Sequence, residues 1–229
     1  TLKRKAFLAS VLGTFQSTLT HFPYLRKIWQ NNTEDERLLG VSLTGQLDNI
    51  SFFKGDIDET LLRDVVVETN KTWADLLGIA QSTATTCVKP SGTVSQLVDS
   101  SSGLHPRYSP YYIRSVRADN RDPLTKFLIE SGVPYEADVT KPENTTVFYF
   151  PIKSPKNSVM RDDISAIGQL EYWKRIQENW CEHKPSITVY VREDEWPEVG
   201  GWVYKNFDII SGVSFLPHSD HSYRQAPYQ

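Results

Sequence analysis

Short strand patterns alternate with helical patterns along almost the whole chain, and this alternation constrains its fold more than any other feature. Strand patterns lie at 40–45, 85–88, 111–117, 146–151, 186–191 and 212–216, and helical spacing of apolar residues lies at 2–19, 59–80, 123–131, 164–180 and 196–203. Strands separated by helices are typical of βα units around a parallel sheet. The sequence therefore predicts a single α/β domain over residues 1–229, with about five mainly parallel strands.

Local signals add detail to this prediction. The first helix is expected to be amphipathic, with an apolar stripe formed by Leu8, Val11 or Leu12, Phe15 and Leu19. A loop is expected through 31–33, and the acidic segment 56–60 predicts the start of the helix that follows. The helix at 164–180 is expected to be capped by Asp162 or Asp163.

The composition is that of a globular chain. Of its 229 residues, 39% are hydrophobic and 23% are charged, and the formal net charge is -3. Nucleic-acid-binding domains normally have a basic face, so no nucleic acid is expected as a partner. There is no membrane-length apolar run and no signal peptide, which predicts a cytoplasmic protein without a membrane partner. Two cysteines are too few for a disulfide scaffold, so both thiols are expected to be reduced.

Residues 85–96 are predicted to form a strand, a tight turn and the start of a helix. Pro90 has a fixed φ and no N–H, and Gly92 can adopt conformations that are closed to other residues. N–H groups at a helix N-terminus favour an anion. The turn is therefore either an ordinary Ser/Thr N-cap or a phosphate site that opens into a cleft with free N–H groups. The candidate phosphate-binding residues are Pro90, Ser91, Gly92, Thr93, Val94 and Ser95.

Residues on either side of this turn are candidates for substrate chemistry. Lys89 adds a charge before it, and His105 and Arg107 place an imidazole and a cation just beyond it. Cys87 lies at the predicted carboxyl end of its strand, where α/β barrels bind ligands, so its thiol is a catalytic candidate. The alternative is a small, buried cysteine. No Cys or His pair has zinc-finger spacing, so no metal site is predicted.

Four ordered segments carry a family resemblance. They read Leu-Leu-Gly-Val-Ser-Leu-Thr-Gly at 38–45, Lys-Pro-Ser-Gly-Thr-Val-Ser-Gln at 89–96, Gly-Leu-His-Pro-Arg-Tyr at 103–108 and Phe-Asp-Ile-Ile-Ser-Gly-Val-Ser-Phe-Leu-Pro at 207–217, the last continuing to Ser219, Asp220 and His221. These segments resemble the adenosylcobalamin-dependent (class II) ribonucleotide reductases, in which the second segment is similar to the substrate-phosphate loop. The resemblance spans nearly the whole chain and implies that 90–95 bind the phosphate of a ribonucleotide.

The resemblance also implies a fold, a cofactor and partners. Reductases of this family have a ten-stranded α/β barrel built from two half-barrels, so the chain would be the second, carboxyl-terminal half-barrel. In the family, adenosylcobalamin generates a thiyl radical, the ribonucleotide loses its 2'-hydroxyl as water, and two thiols supply the electrons. The radical cysteine lies on a finger loop upstream of the segments present here. The expected partners are therefore a ribonucleotide, the remaining amino-terminal half and a dithiol reductant such as thioredoxin.

A second hypothesis is a catalytically inactive fragment that binds nucleotide phosphate or serves only as a scaffold. The chain has no initiator methionine, so we expect a processed product or a fragment. A split-gene piece and a decayed paralogue both fit the sequence.

Overall fold

A computed structural model of the chain describes residues 1–91, 94–218 and 224–229. Within these ranges the helices are α1 (Leu2–Gln16), α2 (Lys27–Glu36), α3 (Ile50–Lys54), α4 (Glu59–Leu77), α5 (Val94–Leu97), α6 (Pro123–Glu130), α7 (Ala166–Asn179) and α8 (Trp196–Lys205). The strands are β1 (Val41–Ser42), β2 (Thr86–Cys87), β3 (Tyr111–Asp119), β4 (Tyr135–Ala137), β5 (Thr145–Lys153), β6 (Ser186–Val191) and β7 (Gly212–Pro217). None of these helices combines the length and the apolar character needed to cross a membrane.

Four strands form a parallel layer in two pairs. β1 pairs with β2, and β6 pairs with β7 along its whole length. Val88, directly after β2, forms a parallel bridge with Pro185, directly before β6. The order across the layer is therefore β1, β2, β6, β7, with α4 between β1 and β2 in the chain and α8 between β6 and β7. This arrangement confirms the α/β class.

The other three strands form an antiparallel sheet, which corrects the prediction of a mainly parallel arrangement. β5 lies between β3 and β4 and runs antiparallel to both. The strand patterns at 111–117 and 146–151 were correctly located, but a pattern of alternating residues carries no information about strand direction. The short strand β4 was not predicted, and its pairing with β5 turns this region into an antiparallel unit.

The main core lies between the parallel layer and the helices. Ile187, Val189 and Val191 are buried in β6 and alternate with partly exposed residues, as expected for a strand with one face on the core. They belong to the same hydrophobic cluster as Leu170 and Trp173 of α7. Burial of each such side chain stabilises the fold by about 1.5–3 kcal/mol.

The prediction for the buried face of α1 is wrong. Its buried residues are Ala6, Ser10 and Thr14, whereas the predicted stripe is largely exposed, with Leu12 70% and Leu19 74% accessible. The Ser10 hydroxyl donates to the carbonyl of Val66 in α4 at 2.7 Å, and Asn70 of α4 donates to Thr14 Oγ1 at 2.9 Å. Small and hydroxyl side chains therefore let α1 approach α4 closely, and the larger apolar residues lie on the opposite face.

Two further local predictions are corrected. The predicted loop at 31–33 lies inside α2, where Gln30 donates to the Glu34 carboxylate one turn later and stabilises a helix of weak intrinsic propensity. The cap of α7 is Ser165, whose hydroxyl accepts from the Gly168 N–H, rather than Asp162 or Asp163. The predicted start of α4 is confirmed, because Asp58 caps it by accepting from the Leu61 N–H.

Leu170→Ala should destabilise the chain by about 2–5 kcal/mol, because Leu170 is fully buried and its truncation leaves a cavity. Leu12→Ala is the matched control, since the same atoms are removed from an exposed position and should change the stability by less than about 0.5 kcal/mol. The free energy of urea-induced unfolding measures both. A loss at Leu12 as large as that at Leu170 would show that the face of α1 has been assigned incorrectly.

Candidate functional site

The candidate phosphate turn lies between β2 and the single turn of α5, which confirms the predicted strand, turn and helix. Gly92 and Thr93 lie outside the described residues. The Ser91 N–H donates to Ser102 Oγ at 2.7 Å, and the Ser95 N–H donates to Ser91 Oγ at 2.8 Å. The expectation of free N–H groups is therefore wrong for Ser91 and Ser95, because neighbouring hydroxyls already accept from both.

A cavity of about 320 Å³ opens beside this turn. Its volume is at the low end of the range of about 300–1,000 Å³ found for small-molecule sites. Segments that are distant in sequence form its wall, namely Pro90, Ser91, Ser100, Ser101, Ser102, His105, Pro106, Arg107, Tyr108, Tyr112, Arg161, Thr188, Tyr190, Leu216 and Tyr228. No Asp or Glu is among these lining residues, whereas two are arginines. The wall therefore suits an anionic ligand.

Arg107 lines the cavity and is almost fully buried. Its guanidinium donates to both carboxylate oxygens of Asp48, at 2.7 and 3.1 Å, and to the side chain and carbonyl of Asp99. A further bond joins it to the Tyr112 hydroxyl at 3.3 Å. Burial lowers the pKa of Arg107, but the bonds from Asp48 and Tyr112 outweigh it and leave that pKa raised. Arg107 is therefore a permanent cation whose donors are all engaged within the protein.

His105 connects the loop that follows the turn to β6. The Thr188 N–H donates to His105 Nε2 at 3.0 Å, and His105 Nδ1 lies 2.9 Å from the Ser102 carbonyl. Because Nε2 accepts, Nδ1 carries the proton and donates to that carbonyl, which defines a neutral imidazole. Burial lowers the pKa of His105, and the bond to Ser102 opposes this only in part. Both ring nitrogens are therefore used to hold the loop.

Aromatic side chains from three segments form the remaining wall. The Tyr108 and Tyr228 rings stack with centroids 5.8 Å apart, and Tyr112 contacts both edge-on. The Arg161 guanidinium lies 4.2 Å from the centroid of Tyr108. Tyr228 reaches the cavity because the end of the chain pairs with β3, where Arg114 and Tyr228 form an antiparallel bridge. Sequence reasoning missed these residues because only the fold brings them together.

The buried Ser101 hydroxyl lies in this wall. Among the described residues, nothing forms a hydrogen bond with Ser101 Oγ, although Ser101 is only 4% exposed. A buried, unsatisfied hydroxyl normally costs about 1–3 kcal/mol, so such atoms are uncommon in native structures. Its place in the cavity wall marks a position where a bound ligand would gain a hydrogen bond.

The other predicted candidates lie outside the cavity wall. Lys89 is exposed, and its backbone N–H donates to Ser42 Oγ at 3.1 Å. Cys87 is half-buried, and burial raises its thiol pKa even though Ser42 and Lys89 oppose the shift. Burial raises the pKa of Cys181 to about 12. In the described part of the chain, no three His, Cys, Asp or Glu side chains are arranged to hold a metal ion.

The stability of the chain should fall on acidification through His105. Because its folded pKa is lowered below the unfolded value of about 6.5, the unfolded chain binds the proton more strongly. The contribution of His105 is thus complete above about pH 6.5 and is lost as the pH falls toward the folded pKa, by at most about 1.4 kcal/mol per unit. Urea unfolding at about pH 7.5 and about pH 5.5 measures the difference.

His105→Gln removes this titration, so its stability should change less between the two pH values than that of the parent chain. His21→Gln, at an exposed histidine, should retain the parental dependence. An unchanged pH dependence in His105→Gln would show that another group titrates.

Sequence comparison finds adenosylcobalamin-dependent reductases among the relatives of this chain. The adenosylcobalamin-dependent ribonucleoside-triphosphate reductase of Lactobacillus delbrueckii subsp. bulgaricus is 29% identical over 250 aligned positions, which cover 95% of this chain and 34% of the relative. The protein of the same name from Levilactobacillus brevis is 31% identical over 170 positions, which cover 72% of this chain and 23% of the relative. No family model matches the chain.

Structural comparison agrees. A crystal structure of a B12-dependent (class II) ribonucleotide reductase matches 100% of this chain with a TM-score of 0.82 and 26% identity, and the match covers 36% of that protein. The chain therefore spans about one third of the length of the relatives it matches. By sequence and by fold, the chain belongs to the family of adenosylcobalamin-dependent (class II) ribonucleotide reductases.

Proposed function

We propose that the chain is the carboxyl-terminal half-barrel of an adenosylcobalamin-dependent ribonucleotide reductase and that it binds the phosphate end of the ribonucleotide. The observation that carries the proposal is the cavity beside Pro90 and Ser91, whose charged lining residues are both cations. This cavity follows the carboxyl end of β2, the edge of a parallel layer where α/β proteins bind ligands. Residues 90–95 would bind phosphate, with Gly92 and Thr93 assigned from the sequence alone.

The edges of the parallel layer support the proposal that the chain is a single, partial domain that forms one half of a barrel. Among the described residues, β1 pairs only with β2, and β7 pairs only with β6. An unpaired strand edge exposes backbone N–H and C=O groups, and closure into a barrel removes such edges. In the proposed assembly, strands from the remainder of the reductase close this layer.

Exposed apolar surface supports the same partner. None of the residues of α2 is buried, and Ile28 and Trp29 in it are more than half exposed. A second cavity of about 560 Å³, lined by residues that include Leu12, Leu19 and Leu38, lies between α1, α2 and β1. Large exposed apolar patches usually mark interaction surfaces. We assign this surface to contact with the amino-terminal part of the reductase.

Neither cavity fits the cofactor. Adenosylcobalamin is several times larger than the drug-sized ligands enclosed by pockets of about 300–1,000 Å³, whereas the cavities measure about 320 and about 560 Å³. We therefore propose that the remainder of the reductase supplies most of the cofactor site, and no step of the reaction is assigned to the cofactor within this chain. The residues of this chain bind and orient the substrate's phosphate.

The thiol chemistry is likewise assigned elsewhere. Nucleophilic and redox cysteines are usually accessible and have lowered pKa values, whereas burial raises the pKa of both Cys87 and Cys181. Neither cysteine lines the cavity beside the turn. The radical-bearing cysteine would belong to the remainder of the reductase, and a dithiol such as thioredoxin would supply the electrons. Hydroxyl groups and the loop, rather than Lys89 or Arg107, would then contact the substrate directly.

The second candidate is an inactive phosphate-binding or scaffold fragment. It is favoured by the buried state of Cys181. The two candidates differ in whether a complementary amino-terminal part restores reduction.

The isolated chain should form no deoxyribonucleotide from a ribonucleoside triphosphate, even with adenosylcobalamin and a dithiol, because its two thiols do not lie in the substrate cavity. Addition of a complementary amino-terminal part should restore activity, and the absence of activity in that mixture would favour the inactive fragment. Chromatography of the nucleotides provides the measurement. Product formed by the pure chain and abolished by Cys87→Ser would make Cys87 the radical carrier and overturn the assignment.

Substitutions in the turn should weaken nucleotide binding without affecting nucleoside binding. Removal of one hydroxyl costs about 1.5–3 kcal/mol when its partner is charged, so Thr93→Ala should weaken binding by about ten- to a hundredfold. Gly92→Val should abolish it, because a side chain crowds the approaching phosphate. Ser131→Ala, at an exposed serine after α6, serves as the control. Parental affinity in Gly92→Val would place the phosphate elsewhere and leave the turn as a helix cap.

A further inference from the structure

We propose that residues 225–229 form a strap that closes one side of the cavity beside the turn, and that Gln225 is the latch that holds this strap in place. The strap contributes Tyr228 to the wall of the cavity. The inference concerns access to the cavity and is the same whichever ligand enters it, so it goes beyond the proposed phosphate site.

The main chain of the strap forms an additional strand on the edge of β3 that β5 does not occupy. Ile113 and Gln229 exchange both of their backbone hydrogen bonds, at 2.7 and 2.9 Å. The Ser115 N–H donates to the Pro227 carbonyl at 3.0 Å. A strand edge without a partner exposes backbone N–H groups to water. The strap therefore covers β3, and its release would expose the N–H groups of Ile113 and Ser115.

Tyr228 connects the strap to the cavity wall. Its ring stacks on Tyr108 and contacts Tyr112 edge-on, with centroids 5.8 Å apart in both pairs. Its hydroxyl accepts from Arg114 Nη1 of β3 at 2.6 Å. Tyr112 is only 7% exposed. Movement of the strap would therefore withdraw Tyr228 from the wall and admit water to Tyr108 and Tyr112.

Gln225 holds the other end of the strap and is 3% exposed. Its amide nitrogen donates to the Glu136 carboxylate and to the Ala137 carbonyl, both at 2.7 Å, and its amide oxygen accepts from the Val139 N–H at 2.9 Å. The Arg117 guanidinium donates to the Gln225 carbonyl at 3.2 Å. None of these four partners lines the cavity. Gln225 is therefore a positioning residue, which acts on the cavity only through Tyr228.

The Glu136 carboxylate is a strong acceptor for the latch. The hydrogen bond from Tyr149 lowers the pKa of Glu136, and the bond from Gln225 lowers it further, so the carboxylate stays ionised. Hydrogen bonds to an ionised acceptor are stronger than those between neutral groups. The bond from Gln225 to Glu136 is therefore the strongest single contact of the latch.

The closed strap also carries two costs. Gln225 has a φ of +60°, which lies in the left-handed region that is uncommon for residues other than glycine. The hydroxyl of Ser115, the residue bonded to Pro227, is buried and has no hydrogen-bond partner among the described residues. Such a hydroxyl is destabilising until water reaches it. The latch thus holds a segment that is otherwise inclined to open locally.

The first test is hydrogen exchange of the 229-residue chain, measured by mass spectrometry. Gln225→Ala removes the three side-chain bonds of the latch and should speed exchange at Ile113 and Ser115 by about ten- to a hundredfold. Exchange in β6, which lies outside the antiparallel sheet, should not change. Gln229→Ala is the matched control, because it removes an exposed glutamine side chain from the same strap.

A charge exchange tests the pairing itself. Gln225→Glu places a second carboxylate against Glu136 and should speed exchange at least as much as Gln225→Ala. The double variant Gln225→Glu with Glu136→Gln restores a donor opposite a carboxylate, so it should slow exchange by about tenfold relative to Gln225→Glu alone. A general loss of stability would not be rescued in this way.

Access to the cavity is measured by fluorine NMR of the chain labelled with 3-fluorotyrosine. Broadening of the Tyr112 signal by a soluble gadolinium chelate reports its contact with solvent, and Tyr112→Phe assigns that signal. Tyr204, which is 86% exposed, is the reference. Gln225→Ala should raise the broadening of Tyr112 toward that of Tyr204, whereas Gln229→Ala should leave it as in the parent chain.

Each outcome decides the inference without a nucleotide, so it is independent of the proposed function. Unchanged exchange at Ile113 and Ser115 in both Gln225 variants would overturn the latch, and faster exchange in β6 as well would show global destabilisation instead. Faster exchange at these residues with Tyr112 still shielded would overturn the connection between strap and cavity. If Gln225→Ala does not fold, Gln225→Glu and the double variant decide.

Discussion

The buried guanidinium of Arg107 is the interaction on which the cavity and its surrounding loops depend. Arg107 is 3% exposed and is bonded to Asp48 on one side and to Asp99 on the other. A charge inside a protein is costly unless it is paired, and removal of one partner of such a pair typically costs about 3–5 kcal/mol. These ion pairs therefore hold the segment after β1 against the loop that forms part of the cavity wall. The two cannot separate without leaving a buried charge unpaired.

The hydrogen bonds around this pair extend to the phosphate turn. The Asp48 carboxylate accepts from the Ser101 N–H, and the Ser101 carbonyl accepts from the Gly45 N–H at 2.8 Å. Next along the loop, Ser102 Oγ accepts from the Ser91 N–H and so connects the loop to the turn itself. Each hydrogen bond in this series is short-ranged and directional. These bonds hold Ser91, at the start of the turn, in a defined position, and a site held in this way would avoid ordering costs on association.

Local sequence signals predicted the elements that are defined by a simple local pattern. The alternation in β6 located that strand, and Asp58 marked the start of α4. The antiparallel pairing of β3 and β5 was not predictable, because strand direction depends on tertiary pairing. Around the cavity, the sequence of residues 90–95 indicated the turn, whereas no sequence pattern pointed to Arg161 or Tyr228. These two residues line the same cavity as Pro90 and Ser91 only because distant segments fold together.

Helix α1 buries its hydroxyl-bearing face and exposes its apolar residues, which reverses the usual arrangement of a surface helix. A surface helix normally turns its apolar face inward, yet the buried face of α1 carries Ser10 and Thr14 while Leu8 and Leu12 are exposed to water. Exposed apolar area costs about 25 cal/mol per Å² relative to burial, so this pattern is unfavourable for a helix that faces water. Close contact with α4 through hydroxyl groups fixes α1 in place and leaves its apolar side exposed. The cavity beside the turn is thus built within the chain, whereas the apolar side of α1 is left exposed on its surface.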